Sequence, residues 1–200
     1  MLTLYHAPFT RSTGIIQLLM ALDVMDKVDI RIVDIVKQDG SGAPDPANPH
    51  PEGKVPLLVH NGIAIRERAA IIQYLTELFP SPLAPAAGNA SRGAYLSWLA
   101  YYGAVLEPVM VTTLLGLDHP GLHSNFRSAQ ELGDALTAAL TNQPYLLGDN
   151  FSAADLLVSS PFQWMPSFAP QAQVVQDWLA RCQAQPSAHQ SAAYDAKLAA

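Results

Sequence analysis

Cysteine is almost absent from this chain, which has 200 residues and one cysteine, Cys182. A single thiol excludes an intramolecular disulfide and a zinc site built from several cysteines. The sequence also lacks a run of about 20 apolar residues, the length that a membrane-spanning helix needs. Its first residues contain no basic segment followed by an apolar stretch, as a secretory signal would. We therefore expect a cytoplasmic protein without a membrane partner.

Charged side chains are scarce too, because Asp, Glu, Lys and Arg make up only 14% of the residues. The 11 basic residues are outnumbered by 17 acidic ones and form no basic run. A formal net charge of -6 repels a phosphate backbone, so we expect no nucleic acid partner. Half of the residues are hydrophobic, which is enough for one large core or two smaller ones that share an interface.

The first 80 residues alternate signals for strands and helices. Strands are predicted over residues 2–5 and 28–32, where apolar side chains recur in strand patterns. Between them, an apolar stripe with helical spacing predicts a first helix, with Ile15, Leu18, Leu19 and Leu22 on one face. A Gly- and Pro-rich loop over residues 39–53 follows the second strand. The order strand, helix, strand is the start of a thioredoxin-like domain.

The rest of this half predicts a hairpin and a second helix. The pair Asn61-Gly62 supplies the positive φ angles of a tight turn between strands at 57–59 and 63–65. A helix then begins near Glu67 and ends before Pro80. We place the thioredoxin-like domain at residues 1–80.

Residues 81–90 are predicted to be a linker, and residues 91–200 an all-helical domain. Apolar stripes with helical spacing run through this half, and the longest predicts the longest helix of the chain, with Tyr95, Trp98, Tyr102, Leu106, Val109 and Leu114 on one face. Ser152 to Asp155 fits a capping box, in which the serine and the acid bond each other's backbone N–H groups. We read this motif as structural.

The turn between the first strand and the first helix, residues 8–13, is where thioredoxin-like proteins carry their chemistry. Dithiol oxidoreductases have Cys-x-x-Cys there, and this chain has Phe9-Thr10-Arg11-Ser12 instead. Without a thiol at the turn, disulfide exchange by the chain itself is excluded as the main activity. A hydroxyl at a helix N-terminus favours negative charge and can hold the thiolate of a bound small thiol. The alternative is that Thr10 or Ser12 only caps the helix.

Two longer segments carry a family resemblance. They are Gly53-Lys54-Val55-Pro56 in the loop before the hairpin, and Glu67-x-x-Ala70-Ile71-x-x-Tyr74-Leu75 in the second helix. With these and Phe151 to Asp155, the chain resembles the bacterial type of the cytosolic glutathione transferases. The match covers the N-terminal half and the start of one C-terminal helix.

The resemblance implies a glutathione site. The main chain of Val55 would pair with the cysteinyl part of glutathione, ahead of a cis peptide bond at Pro56. Lys54 would face the glycyl carboxylate, while Glu67 and the N–H of Arg68 would hold the γ-glutamyl end. Family members usually have serine where this chain has Arg68. In one alternative, the Arg68 guanidinium adds a contact to the γ-glutamyl carboxylate. In the other, it swings outward and leaves a weaker site for glutathione.

For the thiol itself, the resemblance favours Thr10 over Ser12 as the catalytic hydroxyl. Tyr5, at the end of the first strand, is a further donor to glutathione or a buried strand tyrosine. The implied activity joins the sulfur of glutathione, as co-substrate, to a small hydrophobic electrophile, or reduces an organic peroxide. The rival interpretation is a non-catalytic binding or adaptor protein of the same fold, which Arg68 keeps open. A homodimer is also implied by the resemblance.

No metal site is expected. His119 and His123 have the spacing of two ligands on a helix, but Pro120 and Gly121 between them are expected to interrupt that helix. We find no carboxylate nearby in the sequence pattern to complete a ligand set.

Overall fold

The structure, a computed structural model, describes residues 1–37 and 39–199. Ala200, the last residue of the predicted second domain, lies outside the described residues. The described chain divides into two compact units, one built from residues 1–79 and the final helix, the other from Pro80–Ala184. The first contains a small sheet with helices, and the second is helical. The predicted fold class, a thioredoxin-like domain followed by helices, is confirmed.

The sheet of the first unit has four strands in the order β2-β1-β3-β4. Strand β1 (Leu2–His6) lies between β2 (Asp29–Ile32), which is parallel to it, and β3 (Leu57–His60), which is antiparallel. Strand β4 (Ile63–Ile65) pairs with β3 across the turn at Asn61 and Gly62. Both turn residues have positive φ angles, 50° and 83°, so the predicted hairpin is confirmed.

Among the described residues, the first unit contains three α-helices and a short 3-10 helix (Met25–Lys27). Helix α1 (Thr13–Ala21) follows β1 and presents Ile15, Leu18 and Leu19 to the core, where all three are fully buried. Helix α2 (Arg68–Leu78) follows the hairpin and buries Ile71, Ile72 and Leu75 in the same way. Helix α9 (Pro186–Leu198) packs against α1.

The position of α9 differs from the predicted domain division. We predicted that residues 91–200 form one domain, whereas the structure groups α9 with the first unit. The physical reason is its contact with α1 and the turn before it, where the Asp195 carboxylate accepts hydrogen bonds from the Phe9 N–H and the Thr13 hydroxyl. No local pattern in the sequence of α9 indicates this pairing.

The second unit begins with a long helical segment. Its parts are α3 (Arg92–Tyr101), a wider π-helical stretch (Tyr102–Leu106) and α4 (Glu107–Leu114). The π-helical stretch lies just before Pro108, which has no N–H to donate to the preceding turn. The long helix predicted from the apolar stripe is therefore present, with this one irregularity.

Four further helices complete the second unit. They are α5 (Pro120–Asn125), α6 (Ala129–Leu140), α7 (Ala153–Trp164) and α8 (Gln173–Gln183). Ser152 and Asp155 form the predicted capping box at the start of α7. Asp155 is fully buried and also accepts hydrogen bonds from the Leu146 N–H and the Trp178 indole, at 2.9 Å each. Among the described helices, none is both long and apolar enough to cross a membrane.

Candidate active site

The turn from β1 to α1 brings two hydroxyl groups together. The chain leaves β1 at Ala7 and passes through Phe9, which has a left-handed φ of 56°. Thr10 is half-buried, and its Oγ1 lies 2.8 Å from Oγ of Ser12. The Thr10 hydroxyl also donates to the Ala7 carbonyl at 2.7 Å. Of the two residues that carry these hydroxyls, Thr10 is the one that keeps exposed surface at this turn.

Ser12 is fully buried, and its hydroxyl does not have the hydrogen-bond partners of a helix cap. It occupies the N-cap position of α1, but its side chain makes no capping hydrogen bond to the helix. Its Oγ instead accepts from the Ala7 N–H at 3.2 Å and lies 2.6 Å from Nδ1 of His6. The capping interpretation of Ser12 is therefore wrong, because the partners of its hydroxyl are His6 at the end of β1 and two residues of the turn, Ala7 and Thr10. A buried hydroxyl also cannot reach a bound thiol directly.

Behind Ser12 lie two residues that the sequence analysis missed, His6 and Asp195. Nε2 of His6 is 3.0 Å from Oδ1 of Asp195, and both side chains are fully buried. His6 directly follows the predicted strand and alternates with Leu4 onto its buried face, so it had a local signal. Asp195 had none, because it belongs to α9, at the far end of the chain.

The charge of Asp195 follows from its hydrogen bonds. Burial alone raises the pKa of a carboxyl group, but here hydrogen bonds from His6, Thr13 and Phe9 outweigh it and lower the pKa of Asp195. The Phe9 N–H donates to Oδ2 at 2.7 Å and the Thr13 hydroxyl at 2.5 Å. Asp195 is therefore a carboxylate at neutral pH, and His6 Nε2–H donates to it.

The loop before β3 holds the second group of predicted site residues. The peptide bond between Val55 and Pro56 is cis, as the resemblance implies. The Asn48 side chain donates to the Lys54 carbonyl at 3.1 Å and so fixes the chain just before that bond. The Lys54 side chain is exposed, whereas Val55 and Pro56 are buried.

Tyr5 lies in an apolar cluster with Val55. The cluster also contains Ala7, Val33 and Leu57, and Tyr5 is 9% exposed within it. Side chains alternate along a strand, so Tyr5 points to the sheet face opposite His6. The structure thus brings Tyr5 together with Val55 and keeps it on the other face from Ser12.

Glu67 and Arg68 lie at the start of α2 with very different exposure. Glu67 is the N-cap residue, is exposed and has a left-handed φ of 68°, a conformation that costs a non-glycine residue free energy. Arg68 is only 7% exposed, and its guanidinium group lies beside Gly14 of α1. The predicted alternative in which Arg68 swings outward is therefore wrong, because the side chain is buried against α1.

Among the described residues, no group of three or more His, Cys, Asp or Glu side chains could hold a metal ion. Two expectations about His119 and His123 are wrong: that Pro120 interrupts a helix, and that no carboxylate lies nearby. Pro120 begins helix α5 instead of interrupting one, and His119 caps it by accepting from the Gly121 N–H at 2.9 Å. A carboxylate does lie nearby, since His123 Nε2 is 2.7 Å from Asp118 Oδ1.

Comparison with known proteins gives a consistent result. Family models for the N-terminal and C-terminal domains of glutathione S-transferase match residues 4–83 and 120–186. Glutathione S-transferase 3 of Schizosaccharomyces pombe is 27% identical over 190 residues, covering 86% of this chain and 75% of that protein.

Solved structures agree in fold. A glutathione S-transferase from Actinobacillus pleuropneumoniae has a TM-score of 0.80 at 20% identity, covering 98% of this chain and 93% of that chain. A sphingomonad glutathione S-transferase complexed with glutathione has a TM-score of 0.74 at 21% identity, covering 97% of this chain and 98% of that chain.

Proposed function

The chain belongs to the glutathione S-transferase family, and we propose that its first unit binds glutathione and activates the glutathione thiol at Thr10. The thiolate then attacks a small hydrophobic electrophile or reduces an organic peroxide. The observation that carries this proposal is that Thr10, a half-buried residue with a hydroxyl group, lies just before the amino end of α1. The free N–H groups and the dipole of a helix start favour negative charge there.

Thr10 acts on the thiol by hydrogen bonding. A hydroxyl that donates to a thiolate stabilises the charged form over the neutral thiol, which lowers the thiol pKa and raises the thiolate fraction at neutral pH. Hydrogen bonds to charged groups contribute about 1.5–3 kcal/mol, or about 10- to 100-fold in the ionisation equilibrium. Ser12, which is buried, acts on the thiol only through Thr10.

The rest of the tripeptide is bound by the residues that the resemblance implies, namely Tyr5, Lys54, Val55, Pro56, Glu67 and Arg68. In this proposal the exposed Lys54 ammonium meets the glycyl carboxylate, and the Val55 main chain pairs with the cysteinyl part. Glu67 meets the γ-glutamyl ammonium, and the Arg68 N–H meets the γ-glutamyl carboxylate. Tyr5 contributes by packing against Val55, which supports that segment.

A conjugation assay with an aromatic chloride and glutathione tests the proposal. We expect Thr10→Val, which keeps the side-chain shape and removes the hydroxyl, to lose about 10- to 100-fold in kcat/KM. Thr10→Ser is the matched control and keeps most of the activity. Turnover that is the same in the wild type and Thr10→Val would show that another group activates the thiol. No turnover and no glutathione binding in the wild type would favour a binding or adaptor protein.

We further propose a cytoplasmic homodimer with a role in detoxification and no nucleic acid or membrane partner. The single cysteine, Cys182, is buried and supports a compartment where disulfides are not needed. The net charge of -6 argues against nucleic acid. Sedimentation equilibrium tests the dimer, because a monomer mass at micromolar concentration would contradict it.

A further inference from the structure

Four side chains form one continuous hydrogen-bonded row that runs inward from the Thr10 hydroxyl. Thr10 Oγ1 is 2.8 Å from Ser12 Oγ, and Ser12 Oγ is 2.6 Å from His6 Nδ1. His6 Nε2 is 3.0 Å from Asp195 Oδ1. Thr10 is half-buried, and the other three side chains are buried at 0% exposure. The row therefore joins the accessible hydroxyl to a carboxylate inside the unit.

The protons of this row have two consistent arrangements. With a neutral His6, the Ser12 hydroxyl donates to Nδ1, and the Thr10 hydroxyl turns from the Ala7 carbonyl to donate to Ser12 Oγ. With a charged His6, Nδ1–H donates to Ser12 Oγ, and the Ser12 hydroxyl donates outward to Thr10 Oγ1. In both cases Nε2–H donates to Asp195, so the inner end of the row stays fixed. The two arrangements differ by one proton and by the direction of every hydroxyl.

The Ala7 backbone keeps both hydroxyls in place for either arrangement. Its carbonyl oxygen lies 2.7 Å from Thr10 Oγ1 and 3.1 Å from Ser12 Oγ, while its N–H donates to Ser12 Oγ at 3.2 Å. The Ser12 N–H donates to Thr10 Oγ1 at 3.2 Å. Both oxygen atoms are thus held by the main chain, and only their hydrogen atoms have to rotate.

We propose that this row is a proton relay in which His6 stores the proton of a thiol bound at Thr10, a proposal that rests on the proposed function. The S–H bond breaks and its proton joins Thr10 Oγ1, whose own proton passes to Ser12 Oγ. The Ser12 proton passes to His6 Nδ1. The products are a thiolate and an imidazolium paired with the Asp195 carboxylate, so the net charge of the complex is unchanged.

The relay explains why a buried carboxylate stands behind the histidine. A charged imidazole inside a protein needs an opposite charge, since an unpaired buried charge costs several kcal/mol. Asp195 supplies that charge and is itself held by Phe9 and Thr13. His6 and Asp195 touch neither the sulfur nor the electrophile, so they are positioning residues.

The order Ser12, His6, Asp195 is also that of the hydrolase triads, in which the serine attacks a carbonyl carbon. That chemistry needs an accessible serine, and Ser12 has 0% exposure. Thr10 separates its hydroxyl from any substrate. The same three residue types therefore serve here to move a proton.

Among the described residues, groups on α9, on β2 and at the N-cap of α1 lie next to His6. Helix α9 places Asp195 and Tyr194 there, with the Tyr194 ring centroid 6.2 Å from that of His6. Burial raises the pKa of the Tyr194 hydroxyl, so this ring stays neutral around neutral pH. Helix α1 contributes Ser12 beside the ring, and β2 pairs the uncharged Ile32 with the His6 backbone. Asp195 is the charged group that hydrogen-bonds to the imidazole.

Two variants test the relay in the full-length protein. His6→Gln keeps a donor for Asp195 but takes up no proton, and Ser12→Ala interrupts the row while leaving the His6 and Asp195 pair intact. We expect each to raise the apparent pKa of bound glutathione, so that the thiolate fraction at a pH below that pKa falls about tenfold. The thiolate is measured by its ultraviolet absorbance across a pH titration. A purely structural network would lower the melting temperature and leave the titration midpoint unchanged.

Proton counting gives the second readout. Calorimetric titration with glutathione in buffers of different ionisation enthalpy reports the protons released on binding. The relay keeps the thiol proton on His6, so we expect almost no release from the wild type at a pH where absorbance shows the thiolate. In His6→Gln, thiolate formation at higher pH releases about one proton per site. Release of about one proton from the wild type would overturn the relay.

The outcomes separate this proposal from the one it rests on. If the wild type binds no glutathione at millimolar concentration, the proposed function fails. If glutathione binds and ionises with the same midpoint in the wild type, His6→Gln and Ser12→Ala, the relay fails and the proposed function stands. Should His6→Gln not fold, Ser12→Ala decides the question through its titration midpoint, because the inner hydrogen bond between His6 and Asp195 is unaltered.

Discussion

The guanidinium group of Arg68 occupies the space that a side chain at Gly14 would fill: a Cβ atom there would be 2.5 Å from Nη2 of Arg68. Glycine inside a helix is less favourable than alanine by about 1 kcal/mol. Its presence at the start of α1 is explained by the buried arginine from α2, which is 7% exposed. The two positions are therefore matched to each other.

The first prediction is that Gly14 and Arg68 are coupled in the free energy of unfolding. Gly14→Ala should lower the free energy of unfolding by about 1 kcal/mol in the wild type, because the buried guanidinium has to shift. In an Arg68→Ser chain, the same change should raise it by about 0.5–1 kcal/mol through helix propensity. The coupling energy is then about 1.5–2 kcal/mol, measured by urea unfolding of the four proteins.

Gly93→Ala is the matched control, since Gly93 also lies in a helix and a Cβ there would meet nothing within 4 Å. It should have the same effect in both Arg68 backgrounds. An equal effect of Gly14→Ala in the two backgrounds would contradict the match.

Lys54 provides the second prediction. If its ammonium meets the glycyl carboxylate, Lys54→Met should weaken glutathione binding about tenfold, measured by calorimetry. The remaining affinity should depend less on salt than that of the wild type. Lys37→Met, at another exposed lysine in the same unit, is the control and should bind as the wild type does. Equal affinity of both variants would remove Lys54 from the site.

The sequence predicted the features of the fold and the site that depend on neighbouring residues. The Asn61-Gly62 turn, the capping box at Ser152 and the hydroxyls of the first turn follow from local backbone chemistry. The His6 and Asp195 pair could not be predicted, because its members are 189 residues apart and meet only after α9 packs on α1. The direction of Arg68 was also open, since it depends on the absence of a side chain at Gly14.

The third prediction is a pH dependence of stability. The native pKa of Asp195 lies below its ordinary value of 3.8, so the unfolded chain binds its proton first as pH falls. The stabilisation is fully present above about pH 3.8 and is lost as pH falls through the native pKa. At pH 7, Asp195→Asn should therefore lower the free energy of unfolding by about 3 kcal/mol, because the donors of His6, Phe9 and Thr13 lose a charged acceptor.

The difference between wild type and Asp195→Asn should shrink below about pH 3.8, measured by urea unfolding at several pH values. Asp29→Asn serves as the control, since Asp29 forms an exposed pair with Arg31 at 2.9 Å. Exposed ion pairs contribute little to the free energy of unfolding. A difference for Asp195→Asn that is constant from neutral to acid pH would contradict the assignment of a buried carboxylate.

The fourth prediction concerns Cys182. Its side chain is 1% exposed, and burial raises the pKa of its thiol far above the ordinary value. Alkylating reagents attack thiolates, so native protein should resist labelling at pH 7 and react only after unfolding. Treatment of the native enzyme should also leave its conjugation activity unchanged. Rapid labelling by iodoacetamide, followed by mass spectrometry, would show that the helix α8 region opens in the native state.

The fifth prediction compares two capping boxes that differ in burial. Ser152 and Asp155 are buried at the start of α7, with Ser152 Oγ donating to Oδ2 at 2.6 Å. Ser128 and Glu131 form the same motif on the surface at the start of α6, at 2.9 Å. Ser128→Ala should lower the free energy of unfolding by about 1 kcal/mol, the usual value for a helix cap. Ser152→Ala should lower it by about 2–3 kcal/mol, because a buried carboxylate loses a donor that water cannot replace. Equal losses in urea unfolding would mean that burial adds nothing to this cap.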